Sequence, residues 1–317
     1  MARVLVTGGA GFIGSHVGEA LLARGDSVIA VDNFNAFYDP SIKRQVAALL
    51  SRHAGFRLIE GDIRDRALMA RVMTDERVDG VIHLAAMAGV RPSIENPSLY
   101  ADVNLMGTVS ILDAAALAKV SRVVFASSSS VYGNRDGGPF RESDRVDNPV
   151  SPYAATKKSG ELLCHSWHHL LGIPVTCLRF FTVYGPRQRP DLAISKFAAL
   201  LDAGKPLPFF GDGSTRRDYT YVSDITDGVL RAYDRASGYR IYNLGESATI
   251  SLSEMVDALG EAMGVTPVLD RQPEQPGDVR MTFADVSLAR AELGYAPSVP
   301  FRDGVIKFIA WRRKGDG

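Results

Sequence analysis

The sequence has little of what marks secreted, metal-binding or membrane proteins. Only two cysteines, Cys164 and Cys177, occur among 317 residues, and their spacing is not that of metal ligands, so we expect reduced thiols and no metal site. No apolar run reaches the roughly 18 residues of a membrane span, and the apolar run after Met1 is too short for a signal peptide. We therefore expect a cytoplasmic protein without a membrane partner.

The sequence also lacks an excess of either charge, since 36 basic residues balance 36 acidic residues. A protein that binds nucleic acid or an anionic membrane along its surface usually carries a basic excess. The balance argues against both partners, although it allows one local basic pocket for a phosphorylated ligand. A content of 46% hydrophobic and 23% charged residues is typical of a globular protein with one large core or two fused cores.

The N-terminal segment predicts a dinucleotide site. Gly8, Gly11 and Gly14 stand where a short apolar strand becomes a helix. Glycines there let the backbone approach a pyrophosphate, and the helix N-terminus presents free N–H groups to it; a tight turn without a ligand is the alternative. The next strand, SVIAVD, ends in Asp32. A carboxylate at this place accepts hydrogen bonds from the adenosine ribose and repels a 2′-phosphate, which favours NAD over NADP.

Strands and helices then alternate as far as residue 180, which predicts a parallel sheet covered on both faces. Asp62 ends one of these strands, where it can touch the adenine end of the cofactor or cap the following helix. After residue 180 the chain is richer in Pro and Gly, but apolar periodicity persists. We predict an α/β fold: a doubly wound Rossmann domain at 1–180 and a smaller, mainly substrate-binding α/β domain at 181–317, with segments that can return to the first.

Tyr153 and Lys157 lie on a predicted helix that Ser151 caps and Gly172 ends. Residues four apart share a helix face, so phenol and ammonium lie side by side. A tyrosine keeps its proton until about pH 10 unless a neighbouring cation stabilises the phenolate. The pair therefore predicts a tyrosine base supported by a lysine; a tyrosine at the rim of a site beside a solvated lysine is the alternative.

Several motifs together resemble the extended short-chain dehydrogenase/reductase family and, within it, the nucleotide-sugar 4-epimerases. They are GGAGFIG, Asp32, SSSSVYG, YAATK, LRFFTVYGPRQRPD, GDGSTRRDYTYVSD and PGDVR, from residue 8 to about 285. The resemblance implies tightly held NAD, a C-terminal domain that grips a UDP-sugar, and catalysis by Ser128, Tyr153 and Lys157. It also implies a homodimer in which a long helix at about 98–119 and the Tyr153 helix pair across the interface.

Departures from the family pattern indicate the substrate. Sugar-nucleotide 4,6-dehydratases carry Asp and Glu where this chain has Ser129 and Ser130, and UDP-glucuronate decarboxylases keep the Glu. Neutral hydroxyls suit the binding of a carboxylate, or else they satisfy backbone groups at the strand end. Thr182 replaces an Asn of many UDP-galactose epimerases and, with YGPRQRPD, resembles the UDP-glucuronate 4-epimerases. We predict an isomerase that converts UDP-glucuronate to UDP-galacturonate through a 4-keto intermediate.

Three alternatives stay open: a UDP-glucose/UDP-galactose 4-epimerase, a nucleotide-sugar decarboxylase or dehydratase, and an NAD-sensing protein without chemistry. The resemblance also implies the remaining contacts. We assign four arginines and one aspartate to the substrate. Arg189 and Arg91 are expected near an anionic sugar or the diphosphate, with solvent or a loop carboxylate as the alternative for both. Arg217 is expected at the diphosphate, Asp278 at the uridine ribose and Arg280 near the phosphates. To the cofactor we further assign Phe12, Ile13, Asn33, Asp62, Ile63, Leu84, Ala85, Ala86 and Asn104.

Overall fold

The computed structural model describes residues 1–135, 137–273 and 279–316. The strands of these residues are β1 (Arg3–Thr7), β2 (Ser27–Asp32), β3 (Phe56–Glu60), β4 (Gly80–His83), β5 (Val123–Ser128), β6 (Val175–Phe180), β7 (Thr182–Tyr184), β8 (Leu207–Phe210), β9 (Arg216–Arg217), β10 (Tyr219–Tyr221), β11 (Tyr239–Leu244), β12 (Ile250–Ser251) and β13 (Leu269–Gln272).

The helices of the same residues are α1 (Phe12–Ala23), α2 (Pro40–Leu50), α3 (Arg66–Asp75), α4 (Val90–Glu95), α5 (Pro97–Ala101), α6 (Gly107–Leu117), α7 (Pro152–Leu171), α8 (Ala193–Asp202), α9 (Val222–Asp234), α10 (Leu252–Met263), α11 (Ser287–Leu293) and α12 (Phe301–Trp311). A π-helical turn covers Asp102–Met106, another covers Arg312–Asp316, and a 3₁₀ turn covers Ser129–Tyr132. None of the described helices combines the length and apolar character that crossing a bilayer requires.

The main sheet has seven parallel strands in the order β11-β6-β5-β4-β1-β2-β3. The chain reverses its direction of growth between β1 and β4, and a ligand binds at such a switch point, outside the carboxyl ends of the strands. Gly8 follows β1, Asp32 ends β2 and Ser128 ends β5, so one sheet edge gathers the predicted cofactor and catalytic residues. The predicted Rossmann-like α/β fold is confirmed.

The second half of the chain contributes a strand to the main sheet and a helix to one of its faces. The seventh strand, β11, pairs with β6, and α9 packs against α1. Three two-stranded sheets, β7–β10, β8–β13 and β9–β12, build the remainder of the second half. One hydrophobic cluster includes both Val6 of β1 and Phe308 of α12, so the two halves share core packing. The division at residue 180 stays a prediction.

Helix α7 forms where its sequence signals indicate. The Ser151 hydroxyl accepts a hydrogen bond from the Ala154 N–H (3.1 Å), Pro152 occupies the first position, and Gly172 ends the helix in the left-handed region (φ 70°). The predicted long helix at 98–119 is present but widened by the π-helical turn at Asp102–Met106. Turns of this kind are common near functional sites, and this one carries Asn104.

The glycine turn between β1 and α1 is too close-packed for side chains at two positions. Gly8 has φ +67°, a conformation that L side chains rarely adopt. A Cβ on Gly14 would lie 2.1 Å from the carbonyl oxygen of Gly8. Gly18, one turn further along α1, is different, because a Cβ there would have its nearest neighbour at 3.9 Å.

We predict that Gly14→Ala lowers the free energy of unfolding by about 1–3 kcal/mol, because the methyl group displaces the backbone. It should also abolish retention of the bound dinucleotide. The matched control Gly18→Ala should leave stability unchanged or raise it by up to about 1 kcal/mol. Denaturant titration and mass spectrometry of the released nucleotide measure both effects. Equal stability and equal dinucleotide content in the two variants would contradict the packing argument.

Candidate active site

One cavity of about 830 Å³ runs along the carboxyl edge of the main sheet and reaches residues of the second half. Most of the residues predicted from the sequence line it. From the cofactor set these are Gly8, Gly11, Phe12, Ile13, Gly14, Asp32, Asn33, Ile63, Leu84, Ala85 and Ala86. From the catalytic and substrate sets they are Arg91, Ser128, Ser129, Ser130, Tyr153, Lys157, Thr182, Arg189 and Arg217. Their individual roles remain predictions.

Four predicted residues are not among those that line the cavity. Asp278 lies outside the described residues. Arg280 is exposed, and its carbonyl accepts a hydrogen bond from the Arg216 N–H (2.9 Å). Asp62 accepts hydrogen bonds from Arg64 (2.8 Å) and from the Asn33 side chain (3.0 Å), and Arg64 is the main cause that lowers its pKa to about 2. Asp62 thus orients Asn33, which does line the cavity.

Asn104, the fourth, supports the cavity wall from behind. Its Oδ1 accepts from the Met87 N–H (2.8 Å), and its Nδ2 lies within 3.0 Å of both the Met87 carbonyl and Thr156 Oγ1. The amide therefore joins the loop after β4 to α7, beside Lys157. Asn104 is not among the residues that line the cavity, and its direct contact with the cofactor stays a prediction.

Ser128, Tyr153 and Lys157 lie together at the reacting end of the cavity. Ser128 Oγ accepts from both the N–H (3.2 Å) and the hydroxyl (3.0 Å) of Ser130. Ser128 therefore keeps its own proton for donation towards the phenol of Tyr153, whose pKa the Ser128 hydroxyl acts to lower. Lys157 Nζ donates to the Ala126 carbonyl (2.7 Å) and lies 5.9 Å from the centre of the Tyr153 ring.

The electrostatics of this group depend on burial. Burial raises the pKa of Tyr153, while the Ser128 hydrogen bond and the charge of Arg189 act to lower it. Burial also lowers the pKa of Lys157 to about 8, so the supporting cation is itself weakened. Because the pKa of Tyr153 stays above its usual value, these groups alone do not ionise the phenol near neutrality. A further cation in the cavity is needed, and the oxidised nicotinamide ring of NAD carries such a charge when bound.

The other end of the cavity fits the adenosine part of NAD. The Asp32 carboxylate accepts from the backbone N–H groups of Ala10 (3.2 Å) and Phe34 (2.9 Å), which fixes it at the end of β2. Lys43 lies 3.7 Å from the same carboxylate, and its Nζ lies 5.0 Å from the centre of the Tyr38 ring.

No group of three or more His, Cys, Asp or Glu side chains in the described parts of the chain could hold a metal ion.

Sequence reasoning missed the residues that bring Lys43 to this place. Helix α2 begins with Pro40 in its first turn, and Asp39 caps it by accepting from the Ser41 N–H (2.9 Å). That start signal is readable from the sequence and would have placed Lys43 one turn into a helix. Its contact with Asp32 is a tertiary feature and has no local signal.

Arg189 is held against the cavity wall by two contacts. It makes a paired hydrogen bond with Asp191 (2.9 and 2.7 Å), and its guanidinium lies 5.1 Å from the centre of the Phe37 ring. Thr182 begins β7, and its N–H donates to the Asp218 carbonyl (3.0 Å). The pairing of Arg189 with Asp191 matches the loop-carboxylate alternative kept open above, so contact of Arg189 with a substrate anion stays a prediction.

Comparisons with known proteins agree with this geometry. The sequence pattern of the NAD dependent epimerase/dehydratase family matches residues 4–245. UDP-glucuronate 4-epimerase 5 of Arabidopsis thaliana is 43% identical over 326 residues, which cover 97% of this chain and 74% of that protein. A UDP-glucuronic acid 4-epimerase from Bacillus cereus, solved with UDP-glucuronic acid and NAD, is 34% identical with a TM-score of 0.92 over 98% of this chain and 99% of that chain.

A UDP-glucose 4-epimerase from Thermotoga maritima, solved with UDP-glucose, is 32% identical with a TM-score of 0.91, and the match covers 99% of each chain. The glycine turn, the acid at the end of β2 and the Ser128, Tyr153 and Lys157 group are thus found in a chain that matches such proteins along nearly its whole length. This chain belongs to the NAD dependent epimerase/dehydratase family.

Proposed function

We propose that the protein is an NAD-dependent isomerase that inverts C4 of UDP-glucuronate to give UDP-galacturonate. The observation that carries this proposal is the set of charges around the cavity. Among the described lining residues the carboxylates are Asp32, at the adenosine end, and Asp191, which is paired with Arg189. Neither is free to remove a carbon-bound proton or to protonate a departing hydroxyl, as dehydration requires. Ser129, Ser130 and Thr182 offer neutral hydroxyls to a uronate carboxylate, Ser130 once its hydroxyl turns from Ser128 Oγ to the substrate.

The reaction uses the three side chains described above. Tyr153, once ionised, removes the proton of the sugar 4-hydroxyl, and Ser128 donates a hydrogen bond to the same oxygen. Lys157 stabilises the phenolate through its charge. Bound NAD would supply reversible hydride chemistry at C4, and inversion requires that the 4-keto sugar turn about its diphosphate linkage before C4 is reduced again. Arg217 lines the cavity where it can hold that diphosphate during the turn.

The uronate adds a hazard that the site must prevent. A 4-keto uronate carries its carboxylate β to the ketone and can lose carbon dioxide when the breaking bond overlaps the carbonyl. We propose that Ser129, Ser130 and Thr182 hold the carboxylate in the sugar plane, where this overlap is absent. The three residues line the cavity beside Ser128, at the end of β5 and the start of β7.

We predict that the purified protein converts UDP-glucuronate to UDP-galacturonate and leaves UDP-glucose untouched, as followed by NMR of the sugar protons. Tyr153→Phe should abolish conversion while the bound dinucleotide is retained, because the phenol acts only in the proton transfer. Conversion of UDP-glucose in place of UDP-glucuronate would establish the neutral-sugar epimerase and refute the uronate proposal.

We predict that Ser129→Ala, Ser130→Ala and Thr182→Ala each increase the fraction of 4-keto-pentose by-product, because the carboxylate is then less firmly held. Ser237→Ala is the control, since Ser237 is exposed before β11 at the opposite end of the sheet. Carbon dioxide release per turnover measures the effect. Unchanged turnover and unchanged by-product in all three variants would refute the assigned role.

We also propose that the protein is a cytoplasmic homodimer. Helices α6 and α7 lie side by side and expose large apolar side chains, including Leu117, Leu162 and Leu170. Paired apolar helix faces of this kind suit a symmetric interface. Sedimentation should show a dimer that Leu162→Glu dissociates, whereas Leu49→Glu on α2, also at an exposed apolar residue, should not. A monomeric sedimentation profile for the unmodified protein would refute the dimer.

A further inference from the structure

The face of α7 that carries Tyr153 and Lys157 also carries a buried carboxylate, Glu161. Glu161 follows Lys157 by one turn and Tyr153 by two, so the three share a face. Glu161 is fully buried and takes no part in the chemistry described above. Its Oε1 accepts from the Ser127 hydroxyl (2.7 Å) and from Arg179 Nε (2.8 Å), and its Oε2 accepts from Arg179 Nη2 (2.9 Å).

These contacts join α7 to two strands at the level of the reacting groups. Ser127 and Arg179 are directly opposite each other in the pairing of β5 with β6, and Ser127 immediately precedes Ser128. Helix and strand are also close at this turn, because a Cβ on Gly160 would lie 2.3 Å from the Phe125 ring. The Glu161 carboxylate therefore links the helix that carries Tyr153 to the strand that carries Ser128.

Arg179 is held from its other side as well. Its Nη1 donates to the Tyr132 hydroxyl (3.0 Å), which donates to Asn243 Oδ1 (2.7 Å), and Asn243 Nδ2 donates to the Phe140 carbonyl (2.9 Å). Through this chain of hydrogen bonds, β11 and the segment at residue 140 fix the guanidinium. Arg179 has little freedom to follow α7 if the helix moves.

Stability alone does not account for this pair. Removing two charges from water costs several kcal/mol per ion, and replacing a buried ion pair by apolar side chains is often neutral or stabilising. Burial acts to raise the pKa of Glu161, but the hydrogen bonds and charge of Arg179 outweigh it and lower the pKa, so the pair is ionised. What a charged, bidentate pair adds is a fixed distance and orientation between the elements that it joins.

We propose that Glu161 and Arg179 are positioning residues that fix α7 against β5, so that the Ser128 hydroxyl and the Tyr153 phenol stay in register at the end of the strand. The inference rests on the proposed function for its meaning in turnover. Its physical content is narrower: the pair sets the placement of the Ser128 hydroxyl, which acts to lower the pKa of the phenol. The groups that face the phenol are Ser128 on β5, Arg189 after β7, Tyr100 on α5 and Lys157 on its own helix.

The test is the double variant Glu161→Gln/Arg179→Met in the NAD-bound protein, because it removes both buried charges together. Lys158, whose Nζ lies 3.5 Å from Glu161 Oε2, is partly exposed and keeps access to water in the variant. We expect the variant to fold and to retain NAD, with an unchanged KM and a kcat lowered by about 100-fold, as small misplacements of reacting groups produce. The acid limb of the kcat profile should move to higher pH. The phenolate absorbance of Tyr153, taken as the difference from a Tyr153→Phe sample, should show the same shift without any sugar.

Two further single variants test the same proposal without removing the buried ion pair. Ser127→Ala removes the hydrogen bond between Glu161 and β5 without changing a charge, so it should raise the pKa of Tyr153. This variant tests the proposal even if the double variant fails to fold. Tyr239→Phe is the matched control, because the Tyr239 hydroxyl donates to the Glu161 carbonyl (2.9 Å) at the same turn of α7 and does not touch the carboxylate. The pKa of Tyr153 should be unchanged in this control variant.

The inference is overturned if the pKa of Tyr153 is unchanged both in Ser127→Ala and in a folded double variant. It is also overturned if Tyr239→Phe shifts this pKa as much as Ser127→Ala does. Failure of the unmodified protein to turn over UDP-glucuronate would refute the proposed function instead. The absorbance titration needs no sugar and would still test the positioning.

Discussion

The chemistry of this site depends on the ionisation of a buried phenol. Burial raises the pKa of Tyr153, and burial of Lys157 weakens the cation that supports it. The Ser128 hydroxyl and the charge of Arg189 act in the opposite direction and offset only part of this cost. In the proposed mechanism the positive nicotinamide ring of bound NAD would supply the remainder. Cofactor binding and activation of the proposed base would then be coupled.

The fold meets this requirement by placing all the necessary groups at one sheet edge. Parallel strands direct Gly8, Asp32 and Ser128 towards the same cavity, and α7 lays Tyr153 and Lys157 across it. Arg189 reaches the phenol from the second half, held by Asp191 and Phe37. One cavity thus gathers the groups proposed to act on C4 and the groups proposed to hold the charges of the sugar, which suits an intermediate that must turn without leaving.

Local signals made much of this predictable. The glycine spacing, the acid after β2 and the caps of α7 each lie within a few residues, and each specifies backbone geometry directly, so the Rossmann fold and the positions of Tyr153 and Lys157 followed from the sequence. Contacts between distant segments did not. Asn104 was assigned to the cofactor, but no local pattern indicated the π-helical turn or the contacts of its amide with Met87 and Thr156. The contact of Lys43 with Asp32 and the place of β11 in the main sheet are tertiary features of the same kind, set by packing and without a local pattern.

Inversion of C4 by the proposed mechanism removes a hydride and returns the same hydride. The direct measurement uses UDP-glucuronate that carries deuterium at C4, with the product examined by NMR and mass spectrometry. We expect UDP-galacturonate that keeps the deuterium at C4 and takes no hydrogen from water. Loss of the deuterium to solvent, or a pentose as the main product, would contradict it.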